Sequence, residues 1–169
     1  MRRLAAMAGL AAGLAFLLPT GATAVRARSS ACRTGGLVIW LSETAGGGAA
    51  GSFYYTLSLT NLSGRPCTLL GYPGVSAVSL SGAQVGASAR RESGQAARTV
   101  TLANGASATA VLRIVDAGDF SASSCREVYA AGLRVYPPGQ RASKVVPFPF
   151  QTCSRSATAT LSVRALKAS

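Results

Sequence analysis

The sequence contains no histidine. That absence removes Ser-His-Asp and Cys-His catalysis, and with them the commonest transition-metal ligand. Acids are scarce as well: Glu43, Glu92, Asp116, Asp119 and Glu127 are the only five in 169 residues. Glycosidase chemistry needs two carboxylates facing one cleft. Asp116 and Asp119 stand closest, but Gly118 between them marks them as turn residues, and they bring too few oxygens for calcium. Lysine is limited to Lys144 and Lys167, neither beside a serine motif that would make a Ser–Lys dyad. There is no C-x-x-C, which argues against a redox-active disulfide. No glycine-rich phosphate loop joins a strand to a helix. Amphipathic helices of normal length, coiled-coil heptads and internal repeats are missing too. The chain therefore reads as non-enzymatic, with no catalytic residue, no metal site and no cofactor.

What the sequence does have is a period of two. From Ser52, the run S-F-Y-Y-T-L-S-L-T-N places Phe53, Tyr55, Leu57 and Leu59 on one face and Tyr54, Thr56, Ser58 and Thr60 on the other. That alternation predicts a strand with one face buried and one wet. Before it, G-L-V-I-W-L-S-E (36–43) puts Leu37, Ile39 and Leu41 together, with Val38 and Trp40 opposite. The two form a hairpin around a glycine-rich, mobile loop at 44–51. Trp40, the only tryptophan, is expected to cover an edge of the core.

Residues 1–24 read as a cleavable leader: Arg2 and Arg3, an apolar run at 4–18, Pro19 and Gly21, then Ala22-Thr23-Ala24. The run is shorter than the roughly 20 residues that span a bilayer, and Cys32 lies too far downstream for lipidation. Residues 25–31 are expected to be disordered, and 32–169 to form one domain with no transmembrane segment after cleavage. Four cysteines in an exported chain imply two disulfides. The midpoint of Cys32 and Cys67 falls in the glycine-rich loop, and that of Cys125 and Cys153 at Gly139 in Pro137-Pro138-Gly139. Each pair then sits opposite itself across a hairpin, giving Cys32–Cys67 and Cys125–Cys153.

Further short strands are expected at 75–80 and 83–87 around Ser81-Gly82, at 99–102, at 108–115 after the strong turn Asn104-Gly105, at 132–136 and at 157–166. Residues 144–150 carry Pro147 and Pro149, which cannot donate to a ladder, so this stretch is an edge strand or an extended crossing. Residues 89–98 read as an exposed loop. Residues 116–125 read as an irregular crossing, with one helical turn near 123–129. Seven to nine short strands at hairpin spacing predict an all-β, two-sheet antiparallel sandwich.

At this point the residues resemble a known family. An early Cys32, the block T-N-L-S-G-R-P-C-T-L-L-G-Y-P-G-V (60–75), Cys125, G-L-R-V-Y-P-P-G (132–139) and Cys153-Ser154 are similar to the secreted bacterial domain-of-unknown-function 4232 family. The resemblance implies an immunoglobulin-like sandwich, paired cysteines and export in high-GC Gram-positive bacteria. Some relatives carry a lipobox cysteine that this chain lacks, which favours release over anchoring. It brings no active site.

The formal charge is +12, and the leader takes only two of those cations. Codon bias in a GC-rich genome accounts for much arginine. The functional alternative is attraction to anionic cell-wall polymer, lipid headgroups or nucleic acid without specific base recognition. Tyr54, Tyr72, Arg90, Arg91 and Tyr136 are the candidate binding residues, since exposed tyrosines near arginines suit sugar or peptide contacts. The loops 116–124 and 72–75 are the candidate contact regions. Asn61-Leu62-Ser63 matches a glycosylation sequon but reads as a turn. The expectation is a secreted binding or interaction module at the cell envelope or in the medium. A secreted protein partner and an anionic envelope polymer both remain open.

Overall fold

The computed structural model describes residues 29–169; the expected leader and residues 25–28 lie outside the described residues. The strands are β1 (Leu37–Ala49), β2 (Ser52–Asn61), β3 (Cys67–Leu70), β4 (Gly74–Val78), β5 (Gln84–Val85), β6 (Arg90–Arg91), β7 (Thr99–Leu102), β8 (Ser107–Val115), β9 (Glu127–Tyr136), β10 (Lys144–Cys153), β11 (Leu161–Val163) and β12 (Lys167–Ala168). Three of them, β5, β6 and β12, are two-residue ladders. The only α-helix among the described residues is the single turn α1 (Ala122–Cys125), and 3₁₀ turns occupy Thr34–Gly36 and Ala117–Asp119.

The fold is all-β. One sheet runs β1-β2-β8-β11-β6, with β12 also on β8; the second runs β10-β9-β4-β5; β3 and β7 form a small third sheet. Every pairing is antiparallel except β11 with β6. The core lies between the two large sheets. Leu57, Leu59 and Leu112 come from the first, and Ala77, Leu133 and Val135 from the second; Leu69, Val100 and Leu102 of the third join them. Each such leucine, fully buried, contributes about 1.5–3 kcal/mol.

The hairpin of β1 and β2 forms as expected, with Leu37 opposite Asn61 and Leu41 opposite Leu57. It reaches further than expected: after a register shift between Glu43 and Gly48, pairing continues to Ala49 opposite Ser52. Within the expected loop at 44–51 only Gly48 and Ala49 pair, while the residues between Glu43 and Gly48 form the bulge. Leu57 and Leu59 are buried, but Phe53 on the same face is 49% exposed. Its parity is as read; it sits where the sandwich opens. β10 pairs only with β9 and is an edge strand, consistent with its two prolines.

The 157–166 strand is shorter than expected. Ala157 is exposed, and only Leu161–Val163 pairs there. The residues before it turn instead: the Thr158 amide donates to the Arg155 carbonyl, and its hydroxyl to the Ser124 carbonyl at 2.6 Å. The helical turn comes earlier than 123–129 and stops at Arg126, whose φ is 50°, freeing β9 to start at Glu127.

Both disulfides are as expected, Cys32–Cys67 and Cys125–Cys153. The second closes the end of the β9–β10 hairpin, where Cys153 faces Glu127. The first does not close the β1–β2 hairpin. Cys67 opens β3 in the third sheet, and the N-terminal stretch joins it in parallel through an Ala31–Thr68 bridge. The Thr68 amide donates to the Ser30 carbonyl, so Ser30 and Ala31, expected in the disordered segment, are tied to β3.

Candidate functional site: the outer face of the six-stranded sheet

In β8, Ala108, Ala110, Leu112 and Ile114 are buried against the core. Thr109, Val111, Arg113 and Val115 therefore face away from it. Strand register extends each of these positions sideways into a row. One row is Tyr54, Arg113, Ser162 and Arg90, on β2, β8, β11 and β6. At about 4.8 Å per strand it spans roughly 14 Å. Another row is Trp40, Ser58, Thr109 and Lys167. Between them Thr56 faces Val111, and the Arg164 amide donates to the Val111 carbonyl. The face thus gathers Arg90, Arg113, Arg164 and Lys167, two aromatic rings and a set of hydroxyls.

Several of these side chains are held in place. The Arg113 Nε–H donates to Ser52 Oγ at 3.0 Å. The Trp40 indole N–H donates to Thr60 Oγ1 at 3.3 Å, and Thr60 shares a 2.8 Å hydrogen bond with Ser107. Trp40 is 45% exposed, so it lies on this face and does not cover a core edge as expected; its place on the edge strand β1, opposite in parity to Leu37 and Leu41, is the reason. Glu92 is the acid at this edge. Ser162 Oγ donates to its Oε1 at 2.6 Å and Arg164 Nε to its Oε2 at 2.9 Å. These bonds, first Ser162 and then Arg164, hold its carboxyl below the usual carboxylate range against a smaller opposing effect of burial. Because the pair is open to solvent, it is worth at most about 1 kcal/mol.

The structure brings Tyr54 and Arg90 into one row, brings Arg91 and Tyr72 together elsewhere, and sets Tyr136 apart on the other large sheet. Arg91 has the opposite parity to Arg90, and its guanidinium lies 5.7 Å from the centre of the Tyr72 ring. The Tyr72 hydroxyl donates to the Glu92 and Gln95 carbonyls, both at 3.3 Å. Tyr72 is therefore a clasp for the 92–98 loop that follows β6. Tyr136 belongs to the other large sheet, opposite Gly74, where a Cβ on the glycine would lie 3.4 Å from the tyrosine Cβ. Of the expected contact loops, 116–124 is largely exposed, with Asp116 Oδ1 accepting from the Gly118 amide as a turn residue does. The 72–75 loop is not free, because Pro73 and Val75 are buried. Sequence reasoning missed Arg113, Arg164, Lys167 and Trp40 as one group. Their outward parity was visible, but their alignment depends on register.

Among the described residues, no three His, Cys, Asp or Glu side chains lie where they could hold a metal ion, and no helix is long and apolar enough to cross a membrane. A family model described as a domain of unknown function, DUF4232, matches residues 32–167. The chain belongs to this family. No curated protein and no solved structure matches it. In this DUF4232 domain the 60–75 block is architectural. Asn61 is fully buried. Its amide donates to the carbonyls of Arg65, Leu102 and Ala103 at 2.8, 3.1 and 3.2 Å, and its Oδ1 accepts from the Ser63 amide and hydroxyl. The sequon is thus a turn, as expected. Gly64 and Gly71, at φ of 80° and 108°, supply left-handed corners.

Proposed function

We propose that this DUF4232 protein is an exported, non-enzymatic binding module of the cell envelope or the surrounding medium, and that the outer face of its six-stranded sheet takes an extended anionic polymer. The observation that carries this reading is the row Tyr54–Arg113–Ser162–Arg90, with Arg164 and Lys167 on the same face. Arg113 and Arg90, two strands or roughly 10 Å apart, can contact successive charges along a chain of phosphates or carboxylates, while the aromatic rings and hydroxyls contact the units between charges. A flat face of this kind follows charge and does not read bases. Two structural disulfides and the leader-like N-terminus support an oxidising compartment outside the cytoplasm.

Trp40 is a built-in reporter, because it is the only tryptophan and lies on the proposed surface. Titrating the purified protein with inorganic polyphosphate should change its emission saturably, and an uncharged dextran should not. About three or four ionic contacts give a log–log salt slope of about −2 to −3, or roughly 15- to 60-fold weaker binding from about 50 to about 200 mM salt. Arg90→Gln with Arg113→Gln should lower that slope. Binding that ignores salt, or no binding at low salt, overturns the reading.

A further inference from the structure

A second feature lies at the open end of the sandwich, where the two large sheets part. Tyr55 on β2 and Phe148 on β10 meet with ring centroids 4.9 Å apart at 71°, and Phe150 lies 5.8 Å from Phe148 at 37°. Phe53 stands beside Tyr55 on the same face of β2, half exposed. Together with Ile114 and Asp116 these rings line a groove of about 230 Å³. That is below the roughly 300 Å³ at which whole small-molecule sites begin, so the groove suits a single headgroup.

Charge decides what kind of headgroup. Of the residues lining the groove, Asp116 alone is charged, and its carboxylate is fixed at the rim by the Gly118 amide at 2.9 Å. Glu43 faces Tyr55 across the β1–β2 ladder. Burial first and the Glu43 charge second push the Tyr55 hydroxyl above its ordinary pKa. Asp116 at the groove and Glu43 opposite Tyr55 are two of the five acids of a chain with formal charge +12, while the cations named above occupy the outer sheet face. Aromatic faces present negative potential, and a cation carrying apolar substituents satisfies both the rings and the carboxylate.

We infer that the groove between Phe53, Tyr55, Phe148 and Phe150 binds the alkylammonium headgroup of a small molecule. The site is independent of the polymer face and lies on the core side of the same sheet.

The test uses choline as the probe and its uncharged isostere, dimethylbutanol, as the control, followed by amide chemical shifts of the whole protein. Choline should give saturable shifts at Phe53, Tyr55, Phe148 and Asp116. The isostere should give shifts at least threefold weaker. Phe148→Leu keeps an apolar side chain but loses the ring, and should weaken choline binding by about threefold to tenfold. Asp116→Asn keeps an acceptor for Gly118 and should weaken it by a few fold. Polyphosphate at the outer face should leave the Phe148 shift, on the other sheet, unchanged. Equal response to choline and dimethylbutanol, or no saturable shift with choline, overturns the proposal. So does binding of a lysine peptide in the absence of choline binding, which would make the groove a protein-docking site.

Discussion

Tyr55 and Phe148 touch edge to face across the gap between two sheets that share no hydrogen-bonded ladder. The pair joins β2 to the edge strand β10 by ring contact, since side-chain packing is what binds stacked sheets. Phe148→Ala should therefore destabilise the fold by about 2–3 kcal/mol, below the roughly 3–5 for a fully buried phenylalanine because this ring is only partly covered. Phe148→Leu should cost about 1 kcal/mol. Urea unfolding with unchanged m-values would check both, and a cost under about 0.5 kcal/mol for the alanine variant would show that the sheets do not depend on this contact.

Glu92 reinforces the join between two segments that also meet through the short parallel ladder of β6 and β11 and through the Glu92 amide donating to the Val163 carbonyl. Its carboxyl is held low by Ser162 and Arg164. A carboxyl with a lowered folded pKa stabilises the native state above its unfolded pKa, and that stability is lost as the pH falls through the folded value. Glu92→Gln should thus be less stable than wild type by about 0.5–1 kcal/mol at neutral pH. The difference should shrink as the pH drops below the ordinary carboxylate range. Denaturant titrations of both proteins between pH 7 and pH 2.5 would reveal a gap that stays constant if the carboxylate plays no part.

The legible parts of this fold are those written in local pattern. Leu57, Leu59 and Leu112 declared their burial by alternation, and Asn104-Gly105 declared its turn. Pro147 and Pro149 declared the edge. Register is not local, and so the row of Tyr54, Arg113, Ser162 and Arg90 could not be assembled from sequence. Arg90 and Arg91 looked like one basic site because they are adjacent, yet adjacency on a strand sends side chains to opposite faces. Hairpin spacing points to the correct pair Cys32–Cys67, yet the chain does not close that hairpin with it, because β3 leaves the β1–β2 hairpin for another sheet. The alternation in 157–166 likewise did not reveal that its first residues turn, since Ala157 and Ala159 carry too little apolar surface to hold a strand in place.

The two disulfides should fail in different places. Each closes a loop whose constraint on the unfolded chain is worth about 3–4 kcal/mol on the chain-entropy model. Replacing Cys32 and Cys67 by alanine should raise amide exchange first at Cys32→Ala itself and Thr68, whose hydrogen bonds tie the N-terminal stretch to β3. Replacing Cys125 and Cys153 should raise it first at Ser154 and Arg155, which bond back to Arg126 and Cys125. Hydrogen exchange followed by mass spectrometry would distinguish these patterns, and a uniform loss of protection in both variants would contradict them.

Asn61 offers the sharpest contrast between a truncation and a nearly isosteric substitution. Its amide serves three carbonyls and its oxygen serves one amide and one hydroxyl, all in a fully buried position. Asn61→Ala removes every one of these partners, and buried groups left unpaired cost about 1–3 kcal/mol each where water cannot reach them. A total loss of about 3–4 kcal/mol is expected, since Arg65 and Ser63 are near enough to the surface to recover water. Asn61→Asp keeps the shape and the acceptor but faces three carbonyls with no donor. Its carboxyl must then stay protonated in the folded state, which raises its folded pKa above the unfolded one. A carboxyl raised in this way favours folding at low pH and opposes it as the pH climbs past the unfolded value. The aspartate variant should therefore be less stable than the alanine variant at neutral pH and should regain stability on acidification, while the alanine variant should keep the pH dependence of the wild type. Urea midpoints at pH 7 and pH 4 would measure both effects. An aspartate variant with wild-type pH dependence would mean that the 61–65 turn can open to solvent without cost to the fold.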